Sequence, residues 1–151
     1  MSQTADLLDG LAAALDSAGV GTYDPTRTWT AADTATAIVA GSRVVPQCPD
    51  RVVVLADYPV RDDPFPTSSG VLGVQLRFRG APNDLASLLD ARDTAYRYLQ
   101  GLMGVTWGGT HVAVVVRNSS LPLGVDANQR DEHADNYYLT VDYPVTAARP
   151  D

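Results

Sequence analysis

Ser119, His133 and Asp135 supply a hydroxyl, an imidazole and a carboxylate, the three groups of an activated nucleophile. Neither Ser119 nor Ser120 stands in a Gly-x-Ser-x-Gly turn, the strained elbow that exposes a nucleophilic oxygen. In a chain of this size such trios also arise by chance. His111, Asp131, Glu132, His133 and Asp135 are all potential metal ligands. The run Asp131-Glu132-His133 lacks the i, i+4 pair that sets two ligands on one helix face, so a hydrated acidic loop is the better reading. Cys48 has no His or second Cys nearby to activate it, and reads as a semi-buried structural thiol. Gly19-Val20-Gly21 opens like a dinucleotide-binding turn. It follows a predicted helix, has Asp24 in place of the third glycine and precedes no helix, so it reads as a helix end. Arg77 and Arg79 alternate on a predicted strand and could grip a phosphate, but pairing with Asp is the simpler expectation in an acidic chain. Tyr96, Tyr98, Tyr137 and Tyr138 read as core or interface aromatics.

These side chains need a scaffold, and the 151 residues suffice for one domain. Residues 4 to 18 predict an amphipathic helix with Leu7, Leu8, Leu11 and Leu15 inward, capped by Ser2 or Thr4 and closed by Gly19. Residues 24 to 36 read as an irregular connection anchored by Trp29, and 36 to 40 as a short strand. Four consecutive apolar residues, Val52 to Leu55, predict a strand covered on both faces. Residues 58 to 70 read as a long exposed loop. Val71 to Arg79 alternates as a strand with Val74, Leu76 and Phe78 on one face. A second helix is predicted from about Asp84 to Leu102, N-capped by Asn83. Its stripe includes Leu85, Leu88, Leu89 and Leu99, and shares a core with the Val74 face. Val105 to Trp107, Gly108-Gly109 and Thr110 to Arg117 predict a hairpin. Residues 118 to 135 read as a second long polar loop, and Asn136 to Tyr143 as the last strand. The order of elements predicts an α+β domain, one mostly antiparallel β-sheet with two helices packed on one face. A short mobile tail is expected from about residue 144.

Composition narrows the function. The 11 basic residues are all Arg, Glu132 is the only Glu among 18 acids, and the net charge is −7. Without lysine there is no Schiff base and no Walker-A lysine. The acidic balance argues against gripping nucleic acid or an anionic membrane surface. A single cysteine forbids a disulfide within the chain. The first residues carry no positive charge before Leu7, and no run approaches about 18 apolar residues. The expectation is a cytoplasmic protein with no cofactor, no metal and no enzymatic activity.

Three stretches carry a resemblance. They are Pro46-x-x-Pro49-Asp50 followed by Val52–Leu55 and Tyr58-Pro59; Gly73-Val74-Gln75-Leu76-Arg77-Phe78-Arg79-Gly80 before a long helix; and Pro122-Leu123-Gly124-x-Asp126-x-Asn128-Gln129-Arg130 before Asp135–Val141. In this order the chain, over roughly residues 5 to 145, resembles the minor capsid or tail-terminator family of long-tailed bacteriophages of actinobacterial type. It departs from the family pattern at Gln129, where a glycine is expected. The resemblance implies a non-enzymatic virion subunit at the head–tail junction, assembled in the host cytoplasm. It would form a ring with itself, commonly of six copies, that stops the tube protein from polymerising and meets the head-completion proteins. DNA would pass the lumen without specific binding. The two long loops would supply the contacts, through Arg61, Asp62, Asp63 and Phe65 in one and Asn128, Arg130, Asp131 and Glu132 in the other. The alternatives are another head–tail connector or minor capsid component, or a small monomeric binding module or hydrolase using the 118–135 loop.

Overall fold

Leu7, Leu8, Leu11 and Leu15 recur at the spacing of one helix face. In the computed structural model, which describes residues 2–61 and 69–142, they form the buried side of α1 (Gln3–Ser17). The Ser2 hydroxyl oxygen accepts from the Ala5 N–H at 3.3 Å, satisfying one free donor of the first turn. Gly19 then stops the helix at φ 88°. The second helix, α2 (Leu85–Leu99), is shorter at both ends than its pattern predicts. Asp84, not Asn83, caps it, accepting from the Ser87 N–H at 3.2 Å. Asn83 is spent on a tight turn at φ 55°, a conformation Asn tolerates better than most residues. At the other end Gly101 leaves the helix at φ 76°, and its N–H is donated to Val115.

Among the described residues six strands make one sheet: β1 (Ala37–Val39), β2 (Val52–Arg61), β3 (Ser69–Pro82), β4 (Met103–Trp107), β5 (Thr110–Val125) and β6 (Arg130–Asp142), in the order β1-β2-β3-β6-β5-β4. The β1–β2 pair is parallel and the other pairs are antiparallel. Gly108 and Gly109, at φ 58° and 82°, turn β4 into β5 as a tight hairpin. A Cβ on Gly108 would stand 2.0 Å from the Asp6 carbonyl oxygen, so α1 lies directly on this turn.

Val53, Leu55, Val74, Leu76, Phe78, Tyr137, Leu139 and Val141 join the buried sides of both helices in one cluster. The α+β arrangement with two helices on one face is therefore what the molecule adopts, and the Val74 face and α2 share a core. Leu85, in the first turn of α2, remains 48% exposed and is not part of that core. On the opposite face Val52 and Val54 pack with Ala37, Trp29, Val39 and Val45. This double cover explains the unbroken apolar run from Val52 to Leu55, and Trp29 is the anchor its position suggested.

The largest correction concerns residues 118–135. They are not a loop: β5 continues to Val125, β6 begins at Arg130, and the two pair through Val125↔Asp131. Their polarity follows from position. Asn118 to Val125 are all exposed, because β4 accompanies only the first part of β5. The loop predicted from residue 58 is also strand at its start, since β2 runs to Arg61. Asp62, Asp63 and Phe65 lie outside the described residues, as does the tail from residue 143. Besides the outer edge of β4, two stretches, β2 beyond Val54 and β5 beyond Arg117, have no strand partner on one side among the described residues. Each contains a proline, Pro59 and Pro122.

Leu88 is 1% exposed between α2 and the sheet. Leu88→Ala is expected to cost about 2–5 kcal/mol, read as a lower denaturant midpoint with an unchanged slope.

Candidate functional site

Arg130, which the sequence suggests as a surface contact, is buried, at 4% exposure. Its Nε donates to Asp126 Oδ2 at 2.9 Å, and its Nη1 donates to the Gln47 carbonyl at 3.0 Å and to Asp50 Oδ1 at 3.2 Å. Arg79, 5% exposed, donates to the carbonyls of Asp50 at 2.9 Å and Pro49 at 2.8 Å. Two guanidinium groups therefore clasp the Gln47–Asp50 segment onto the ends of β3 and β6. Burial lowers the Arg79 pKa, and the nearby Arg130 charge lowers it further, while Asp126, Glu132 and Asp50 oppose both. Arg77 does find an acid, but it is Glu132, at 3.1 Å, rather than an Asp.

The turn that carries Asn128 is organised by Asp126. Its Oδ1 accepts from the Asn128 N–H at 2.9 Å and the Arg130 N–H at 3.0 Å. Gln129 stands at φ 63°, the left-handed region that favours glycine, and its carbonyl accepts from the Asn83 N–H at 2.8 Å. The turn keeps its tight form with Gln in place. Of the predicted contact residues, Asn128 is exposed, Asp131 is half-buried, and Glu132 is tied to Arg77. Arg61 ends β2, across the sheet from this turn.

The Ser/His/Asp trio forms with Ser120, not Ser119. A bulge between Arg117 and Ser119 shifts the strand, so that Ser120 stands opposite Asp135. Ser120 Oγ donates to Asp135 Oδ1 at 2.5 Å and lies 2.7 Å from His133 Nε2, which is itself 3.1 Å from Asp135 Oδ1. Ser119 instead accepts from Asn136 Nδ2 at 2.8 Å. All three groups of the trio meet at one imidazole nitrogen. In a catalytic relay the carboxylate holds Nδ1 and frees Nε2 to take the serine proton. Here the carboxylate takes the serine proton and competes for the same nitrogen, so the geometry is that of a half-buried polar network.

That network is enclosed at His133 and Asp135, while Ser120 lies at the solvent side. Asp135 is fully buried, with Arg117 Nη1 3.6 Å from its Oδ2, and Arg117 stacks on the Tyr96 ring at 4.0 Å. Asp135 Oδ2, Tyr137 OH and Arg92 Nε have no hydrogen-bond partner among the described residues. Burial pushes the His133 pKa below its usual value. Asp135 pulls it back, while Arg92 and Arg117 add to the depression. The hydrated acidic loop expected here is thus a strand whose His133 and Asp135 face the helices. Among the described residues no group of three His, Cys, Asp or Glu could hold a metal ion. Cys48, half-buried, donates to the Trp29 carbonyl at 3.4 Å, a structural thiol as expected.

The outer face of the sheet carries a polar ladder. Gln75 Nε2 donates to Asn136 Oδ1 at 3.2 Å, and Asn136 continues to Ser119. Tyr58 and Tyr138 flank it, and a Cβ on Gly73 would stand 2.5 Å from the Tyr58 ring. No helix is long and apolar enough to cross a membrane among the described residues. No protein-family model matches the chain, and no curated protein matches it.

Three expectations follow. Gln129→Gly relieves the left-handed strain and raises stability by about 1 kcal/mol in chemical denaturation. Arg130→Asp places a carboxylate beside Asp126 and Asp50 and lowers the thermal midpoint of the isolated chain, rather than acting on assembly alone. His133 binds its proton less readily folded than unfolded, so its contribution is fully present above its unfolded pKa of about 6.5 and is lost as pH falls below it. Denaturant midpoints compared at about pH 7.5 and about pH 5.5 should drop more for the wild type than for His133→Gln.

Proposed function

We propose that the chain is a structural ring subunit that caps the tail tube of a long-tailed bacteriophage and joins it to the head. The observation that carries this reading is the convergence of the three stretches that resemble the tail-terminator family. Pro46–Asp50, Arg79 near the end of β3 and the Asp126–Arg130 turn form a single clasp, with Arg79 and Arg130 holding Gln47, Pro49 and Asp50. The stretches are separate in sequence, and the clasp brings a part of each together. Exposed Leu121, Leu123 and Val125, with Val44 and Met103, add apolar surface of the kind that subunit contacts cover. The partners are further copies of the chain, the tube protein and the head-completion proteins. With a net charge of −7, the ring passes DNA by repulsion rather than holding it.

Particles assembled without this chain should carry overlong tails, or tails that never join heads, in electron micrographs. Tails of normal length on filled heads would overturn the terminator reading in favour of a dispensable minor virion component.

A further inference from the structure

The outer face of the sheet is covered only in part. Trp29, Val39 and Val45 pack on Val52 and Val54, and β1 accompanies β2 no further than Val54. Beyond that cover lies a hollow of about 400 Å³, with Tyr58, Gln75, Asn118, Ser119, Asn136 and Tyr138 in its lining. Strand register sets its floor in two rows. In one, Gln75 stands opposite Asn136, and Asn136 opposite Ser119. In the next, Tyr58 and Tyr138 both stand opposite Gly73, one on each side of it. We propose that this hollow binds a neutral saccharide, with the tyrosines against the C–H face of the sugar and the amides on its hydroxyls. The site is independent of the ring reading and goes beyond it.

The chemistry of the lining selects the ligand. Gln75 spends one N–H on Asn136, and Asn136 spends one on Ser119. A primary amide carries two N–H donors and an oxygen with two lone pairs, so the ladder holds two amides in place with capacity beyond it. Sugar hydroxyls, each a donor and an acceptor, match such a set. Gly73 opens the gap between the two rings. A Cβ there would stand 2.5 Å from the Tyr58 ring, which therefore lies over bare backbone. Burial and the neighbouring Tyr138 raise the Tyr58 pKa, so its phenol stays a neutral hydroxyl. The one charged side chain of the lining among the described residues is Asp57, and Arg43 pairs with it. A phosphate or a nucleotide finds no cation in that lining, and an aliphatic ligand would bury the amides without partners. An extended peptide added along β2 would meet Pro59, which has no N–H to give. A neutral polyhydroxylated ring with one apolar face satisfies all of these conditions, and the volume lies within the roughly 300–1,000 Å³ of small-ligand sites.

Amide NMR spectra of the full chain, titrated with cellobiose, maltose and lactose, test the site, with inorganic phosphate as the charged control. At least one disaccharide should give saturable shifts concentrated at the side-chain amides of Gln75, Asn118 and Asn136. Asn136→Ala should weaken that binding by about tenfold, the loss of roughly one hydrogen bond. Tyr138→Ala should weaken it by a similar factor, with the signals of α1 and α2 unmoved. Should Asn136→Ala disturb the sheet, Asn118→Ala on the exposed part of β5 repeats the test and should also weaken binding. No saturable shift with any of the three sugars would overturn the proposal. Variants that bind like the wild type would overturn it too, as would phosphate moving these amides where the sugars do not. Tail length and head joining are read separately and bear only on the ring.

Discussion

A buried guanidinium without a carboxylate must find oxygen elsewhere, and Arg79 finds it in backbone carbonyls. That requirement fixes the path of Gln47 to Asp50 across the ends of β3 and β6. Arg130 reaches the same segment from the next strand, and Asp126 holds Arg130 in turn. The segment leads directly into β2, so the clasp also sets where the sheet's most apolar strand begins. Removing Arg79 would strand the carbonyls of Pro49 and Asp50, and removing Arg130 would strand the Gln47 carbonyl and leave the Asp126 and Asp50 carboxylates facing each other, so this corner acts as a unit.

Much of the fold was legible because local periodicity and burial agree. The leucine spacing of α1, the alternation of β3 and the Gly108-Gly109 turn each state their structure within a few residues. The 118–125 stretch was not legible, because its strand character comes from pairing with β6 while its side chains remain in water. Asn, Ser, Pro and Gly there are what an exposed strand carries, and in sequence they resemble a loop. Arg130 misled for a related reason. An arginine beside Asp131 and Glu132 reads as surface charge, and only the fold brings Gln47 and Asp50 to it.

The candidate chemistry shows the same limit more finely. Residue types pointed to a serine, a histidine and an aspartate, and the choice between Ser119 and Ser120 turned on one extra residue in a strand. The bulge at Asn118 exchanges the faces of the two serines, sending Ser119 to the amide ladder and Ser120 to the buried acid. Nothing in the local sequence marks where that residue is inserted. The geometry then separates a relay from a network by which imidazole nitrogen the carboxylate touches.

The prolines at the two uncovered strand stretches bear on how the protein behaves when it is abundant. Pro59 and Pro122 interrupt the rows of donors that would otherwise template a neighbouring strand. A sheet open on both sides without them would be a seed for fibres, since each added copy would present the same bare edge again. With them, strand addition along these two stretches is less favourable. The backbone itself thus limits strand addition there, whatever the side chains contact.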